Sequence, residues 1–287
     1  MIKGKVIKNY NGYYYIDLDL PESLVECRRR GKLKQKILVG DEVEITVLDN
    51  HTGVIEQLLP RRNEIRRPGL ANIDQMVVIM AAQSPAPNRF LVDKMLMTCE
   101  YAGIHPHLCL NKCDLDRTIA VAYRDFYESC GYKTLIVSAQ TGEGMDELLS
   151  LLPHKMTAFA GPSGVGKSSL LSRILGRNDL TIGCVSSKIQ RGRHTTRHSE
   201  IMKLDYKTYV VDTPGFSSLE FEHLDPKELF CLFPDMIPYF GNCRFSSCLH
   251  RTEPDCSVTR AVAEGKIKKE RYETYCKVLT TILERKR

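Results

Sequence analysis

Met156-Thr157-Ala158-Phe159-Ala160-Gly161-Pro162-Ser163-Gly164-Val165-Gly166-Lys167-Ser168-Ser169 is the stretch on which the fold turns. Met156–Ala160 is a short apolar run that reads as a buried strand, and an amphipathic helix begins near Gly166. Between them lies G-x-x-x-x-G-K-[ST], whose glycines let backbone N–H groups turn inward around phosphate oxygens. The helix N-terminus adds the positive end of its dipole. Gly161, Pro162, Ser163, Gly164, Val165, Gly166, Lys167, Ser168 and Ser169 are therefore expected to bind a nucleoside triphosphate. In that reading Lys167 reaches the β and γ phosphates and the Ser168 hydroxyl coordinates Mg²⁺. The loop alone leaves the base open.

Working outward, Asp212-Thr213-Pro214-Gly215 follows the apolar strand Tyr209–Val211. Asp212 is placed to hold Mg²⁺ directly or through water, and Gly215 to offer an amide to the γ phosphate. Between the two motifs, Gln190–Arg197 forms a polar loop from which Thr196, with Thr195 as the alternative, could bring a hydroxyl to Mg²⁺. The base is read on the other side of the phosphate loop. Asn111-Lys112-Cys113-Asp114 ends an apolar strand, and a carboxylate at Asp114 accepts from guanine N1–H and N2–H₂ together. Adenine lacks that donor pair and would leave the carboxylate unpaired. In this reading Lys112 lays its stem along the base and Asn111 ties the loop to the phosphate loop. Ser138-Ala139, followed by Thr141-Gly142, matches the companion loop whose backbone contacts guanine O6. The order along the chain, 111, 138, 161, 196, 212, reverses the usual Ras-like order. A parallel sheet permits this, because every loop rises from the same carboxyl edge.

The surrounding periodicity fits such a sheet. Strands at Met76–Ala82, Ile104–Leu110, Thr134–Val137 and Met156–Ala160 alternate with helices at Asn88–Tyr101, Ile119–Cys130 and Met145–Leu152. A hairpin around Asp205, from Ser199–Leu204 to Tyr206–Val211, completes it. The first sixty or so residues read differently. Lys3–Lys8, Tyr13–Asp19, Leu24–Arg29, Asp41–Asp49 and Gly53–Leu59 are five short strands, the count of an OB-fold barrel. Tyr13, Tyr14 and Tyr15 beside the basic run Arg28–Lys36 would suit RNA, although at least one tyrosine is expected to fill the barrel. Residues 60–69 read as a linker, and the chain is helical from Val258 to the end. The expected division is an OB barrel at 1–62, a permuted α/β GTPase domain at 63–222 and a zinc-binding, helical domain at 223–287.

That last domain rests on Cys243, Cys248, His250 and Cys256, four soft donors within fourteen residues. Cys₃His is a closed tetrahedral zinc set, and closed sets are structural. The remaining cysteines of the eleven are scattered. Lys and Arg outnumber Asp and Glu by 41 to 35. The excess is uneven: Arg28–Lys36 and a tail carrying Lys266, Lys268, Lys269, Arg271, Arg285, Lys286 and Arg287 suit a polyanion. No apolar run spans a membrane and the N-terminus is polar, so a cytoplasmic protein without membrane partners is expected.

Taken in order, NKCD, SAQTG, GPSGVGKS, GRHTT, DTPG and C-x₄-C-x-H-x₅-C make the chain resemble the circularly permuted GTPases of the ribosome small subunit-dependent GTPase A family, RsgA or YjeQ. The resemblance spans essentially the whole chain. It implies a late-acting assembly factor, expected to be a monomer, that binds GTP and GDP. Its partners would be the 30S ribosomal subunit and its 16S rRNA; it would hydrolyse GTP when the subunit stimulates it, and leave. Phe216 stands where many GTPases carry the glutamine that orients water. A histidine on the following segment, His223, with His194 and His198 as alternatives, is expected to take that role on the ribosome. The rival readings are a GTP-gated RNA-binding module with incidental hydrolysis and a P-loop kinase, the second disfavoured by Asn111–Asp114.

Overall fold

Period-two burial along the first strands rolls them into a closed barrel. The computed structural model describes residues 1–18, 24–49, 51–66, 68–176, 201–213, 216, 221 and 224–285. Strands β1 (Ile2–Tyr10), β2 (Tyr13–Asp17), β3 (Leu24–Arg29), β4 (Glu42–Val47) and β5 (Thr52–Leu58) close in the order β1-β2-β3-β5-β4. Pairs are antiparallel except β3 with β5. Val6, Tyr14, Ile16, Val25, Cys27, Val43, Ile45 and Ile55 point inward as alternate residues must. Tyr14 thus fills the barrel, while Tyr13 stays partly exposed with the Arg28 guanidinium 4.6 Å from its ring centroid.

Around the stretch 60–69, expected as a linker, the described residues form an ordered joint. It holds a two-stranded antiparallel ribbon, β6 (Glu64–Ile65) with β7 (Leu70–Ala71). Arg61 forks onto Asp41, a carboxylate with no exposed surface, through Nε at 2.7 Å and Nη2 at 2.8 Å. The Asn63 amide exchanges hydrogen bonds with the Ile73 backbone at 2.8 and 2.9 Å. Proline and glycine signal a tight ribbon as readily as an open linker, and the Asp41 partner lies twenty residues away.

Beyond the joint, β8 (Gln75–Ala81), β9 (His105–Asn111), β10 (Thr134–Ile136), β11 (Met156–Ala160), β12 (Ile201–Asp205) and β13 (Thr208–Asp212) form one sheet, ordered β10-β9-β8-β11-β13-β12. All pairs are parallel except the edge hairpin β12–β13. Helices α1 (Arg89–Tyr101), α2 (Arg117–Ser129), α3 (Met145–Ser150) and α4 (Lys167–Gly176) connect the strands. Asn88 and Asp116 start α1 and α2 by accepting the amides of Leu91 and Ile119. Every residue of β8 is buried. Met76, Val78 and Met80 face one core, Val77, Ile79 and Ala81 the other, so a one-residue slip would exchange the two sets. The parallel arrangement brings Asn111, Ser138, Gly161 and Asp212 to one edge of the sheet.

The barrel sits against the edge hairpin. Asp17 receives the Tyr209 hydroxyl at 2.7 Å and the Lys203 ammonium at 2.8 Å. At the other end, two 3₁₀ turns (Pro226–Leu232 and Ile237–Tyr239) precede α5 (Ser257–Ala263) and α6 (Lys269–Arg285). The expected continuous terminal helix is therefore two helices, divided around Gly265. Leu229, Phe233, Tyr275, Leu279 and Ile282 form their core with Met97 of α1. Arg271, counted in the basic tail that would suit a polyanion, has no exposed surface. Its Nη1 lies 2.7 Å from Asp93 of α1 and its Nη2 3.0 Å from Asp235. Thr274 and Tyr127 complete the shell of Asp93 at 2.6 and 3.0 Å. Among the described residues, no helix is long and apolar enough to cross a membrane.

Candidate functional site

Strand, turn and helix follow one another at the phosphate loop as the motif requires, with β11 ending at Ala160 and α4 beginning at Lys167. Gly166 has φ +92, and a Cβ there would run into the Asn111 side-chain amide. The loop's last glycine is thus dictated twice, by backbone conformation and by the approach of the guanine loop. Lys167 Nζ sits 2.8 Å from the Gly161 carbonyl, inside the curl of the loop. Ser168 and Ser169 are exposed, and with Ser172 and Arg173 they line a cleft of about 440 Å³.

Asn111 joins three loops. Its Nδ2 donates to the Val165 carbonyl at 2.8 Å, and its Oδ1 accepts from the Ala139 amide at 3.0 Å. Lys112, at φ +60, does more than lie flat: its ammonium bonds the carbonyls of Gly164, at 2.7 Å, and Ser84. Asp114 is exposed and accepts from the Ser138 hydroxyl, which in turn accepts from the Thr141 amide at 3.0 Å. An acceptor-only carboxylate is thus held at the rim, oriented by one hydroxyl.

Asp212 ends β13 beside the phosphate loop. Its Oδ1 is buried without a hydrogen-bond partner among the described residues. Burial pushes its carboxyl pKa up, and the charge of Lys167 and the Thr213 amide offset only part of that rise. A buried, unpartnered carboxylate oxygen next to a phosphate loop fits a divalent cation. Phe216 is 1% exposed and packed into the main core, so no water-orienting group stands there. Thr196, Thr195, His194, His198, Gly215 and His223 lie outside the described residues.

Cys243, Cys248, His250 and Cys256 converge, their ligand atoms all within 4.8 Å of one another. His250 Nδ1 is 3.4 Å from Cys243 Sγ and 3.5 Å from Cys256 Sγ, and those two sulfurs are 3.8 Å apart. A tetrahedron with zinc-length bonds has S···S edges of about 3.8 Å and S···N edges of about 3.5 Å. Cys243, His250 and Cys256 therefore match one face of such a tetrahedron, and Cys248 lies close enough to supply the fourth donor. Glu253 organises the loop by accepting the amides of Leu249, Arg251 and Thr252 at 2.8, 2.8 and 3.0 Å. Burial opposes its ionisation, but these amides outweigh burial and hold its pKa down at about 2.

One side chain beside the companion loop belongs to no motif. Arg173, six residues past Lys167 on α4, donates to the Ala139 and Gln140 carbonyls at 2.8 and 3.3 Å. The Gln140 amide itself has no hydrogen-bond partner among the described residues. The only signal in the sequence is that Arg173 falls where α4 would pass the companion loop.

Base loop, phosphate loop and metal-side aspartate on one edge of a parallel sheet, in permuted order, define a circularly permuted GTPase. The RsgA N-terminal domain family matches residues 3–55 and the RsgA GTPase family residues 58–222. The chain is 43% identical over 290 residues to the small ribosomal subunit biogenesis GTPase RsgA of Caldanaerobacter subterraneus subsp. tengcongensis, covering 100% of this chain and 97% of that one. It is 40% identical over 292 residues to the protein of the same name from Clostridium botulinum strain 657, with 100% and 99% covered. Among solved structures it is similar to YloQ, a circularly permuted GTPase, with TM-score 0.84, 34% identity and 99% and 96% of the two chains covered. YjeQ from Thermotoga maritima gives TM-score 0.85 at 34% identity, with 98% of each chain covered. The chain belongs to the RsgA GTPase family.

Proposed function

We propose that this GTPase acts in the cytoplasm on the 30S ribosomal subunit late in its maturation, binding 16S rRNA in the GTP state and leaving after hydrolysis. The observation that carries the nucleotide reading is the Asn111 side chain, bonded at once to the phosphate loop and the companion loop. Asn111, Lys112, Asp114, Ser138 and Ala139 hold guanine. Gly161–Ser169 hold the phosphates, with Lys167 aimed at the β–γ region. Ser168, Thr196 and Asp212 would hold Mg²⁺, which supplies charge neutralisation at the β and γ phosphates. The relatives' shared name, small ribosomal subunit biogenesis GTPase, supports the choice of partner.

The functional units of this reading are 1–62, 63–222 and 223–287. With Phe216 buried, the water-positioning group comes from elsewhere, and His223 is our assignment. His223→Ala should lower single-turnover hydrolysis on 30S subunits; an unchanged rate eliminates it. The reading as a whole is tested by GTP hydrolysis with and without 30S subunits. Stimulation is expected, and a non-hydrolysable analogue should trap the protein on the subunit while GTP lets it go. Equal rates with and without subunits would sink the proposal.

Zinc in the Cys₃His set would be structural, since four protein donors close the tetrahedron. The segment around it contains short 3₁₀ turns and little regular structure, so metal binding would supply part of its folding energy. One zinc per chain is expected by atomic absorption. Removing it with a strong chelator should cost helical circular dichroism and expose residues beyond about 224 to protease. A chelated protein with unchanged protection of that segment would refute a structural role.

A further inference from the structure

The Ala139–Gln140 peptide is planar and trans, so its carbonyl and its N–H point in opposite directions. Whatever grips the Ala139 carbonyl therefore sets the aim of the Gln140 amide. Arg173 grips it, with Nη1 at 2.8 Å, and the same nitrogen reaches the Gln140 carbonyl at 3.3 Å. Arg173 is half-buried, and its Nε is buried without a hydrogen-bond partner, so the loop carbonyls hold the guanidinium. Gly142, at φ +92, leaves room for it: a Cβ there would collide with Nη2. Of the amides in this loop, Ala139's is taken by Asn111, Thr141's by Ser138 Oγ and Gly142's by the Ser138 carbonyl. Gln140's has no partner among the described residues. Arg173 also stands on the wall of the cleft that Ser168 and Ser169 line.

We propose that Arg173 is a positioning residue for base selection, locking the 139–140 peptide so that the Gln140 N–H meets the 6-oxo acceptor of guanine. This rests on the guanine-site reading given above. A purine with an amino group or a hydrogen at C6 cannot accept that bond, so Arg173 contributes to selectivity without touching the base. The guanidinium belongs to the helix that follows the phosphate loop, which ties base reading to phosphate binding within one rigid element.

The test compares GDP with the ribonucleoside diphosphate of 2-aminopurine, which keeps the 2-amino group and carries hydrogen at C6. Full-length Arg173→Met should bind GDP about tenfold more weakly, the scale of one hydrogen bond in a desolvated site. Its affinity for the 2-aminopurine nucleotide should change less than about twofold, because no 6-oxo group is present to lose a bond. KM for GTP should rise with kcat unchanged, and Arg173→Lys, which keeps a donor, should recover most of the affinity. Equal penalties on the two nucleotides would make Arg173 merely structural and overturn the proposal. A wild-type chain that binds both nucleotides alike would instead bring down the guanine-site reading, and this inference with it. If Arg173→Met fails to fold, Arg173→Leu, which likewise carries no donor, makes the same comparison.

Discussion

Lys167→Ala is expected to slow GTP hydrolysis about 10²–10³-fold, the usual loss when one preorganised charge stabiliser is removed from a transition state. The ammonium sits inside the loop curl, 2.8 Å from the Gly161 carbonyl, where transferred-phosphoryl charge would develop. Loop conformation should survive, because the curl is fixed by its glycines and by Asn111 on the Val165 carbonyl. The loss should thus appear in the single-turnover rate at saturating GTP, with the melting temperature of the nucleotide-free protein unchanged. A variant that retains more than about a tenth of the rate would remove Lys167 from the charge-stabilising role, since even one such donor accounts for more.

The second large effect concerns stability. Arg271→Leu is expected to destabilise the chain by about 3–5 kcal/mol, the penalty for leaving buried partner charges uncompensated. Asp93 and Asp235 are 1% and 7% exposed at the side chain, and the variant strands both. Urea unfolding should show the loss, with the segment carrying α5 and α6 opening to protease first. Replacing Arg271, Asp93 and Asp235 together by apolar residues of similar volume should recover much of the stability, because buried ion pairs add little over well-packed apolar groups. A single-variant loss below about 1 kcal/mol would mean that water reaches these carboxylates.

What sequence reading recovered here were features written locally. The loops at Asn111–Asp114, Ser138–Gly142 and Gly161–Ser168 and the Cys₃His set each lie within fourteen residues, and the structure brings the three loops together at Asn111 and the four donors to one point. Strand β11 falls on Met156–Ala160 in both readings because a five-residue apolar run bounded by a glycine leaves little choice. Apart from the helix break at Gly265, which a local glycine marks, the misreadings were non-local. Arg61 looks like part of an open linker until Asp41 is seen folded back onto it. Arg271 sits in a basic tail and is indistinguishable from its solvated neighbours until α6 turns it toward Asp93. Arg173 belongs to no pattern, since its partners are carbonyl oxygens and every residue has one. The tyrosine triplet was partly readable: period two requires that Tyr14 face opposite to Tyr13 and Tyr15, but not which face is the core.

The contact between Asp17 and Tyr209 sets a short lever. Tyr209 and Asp212 are three residues apart on β13, about 10 Å along an extended strand. A strand in mid-sheet has no compliant joint over that length. The path from the barrel contact to Asp212 therefore passes through no loop. The barrel and the nucleotide edge of the sheet are thus joined by one short, stiff piece of strand.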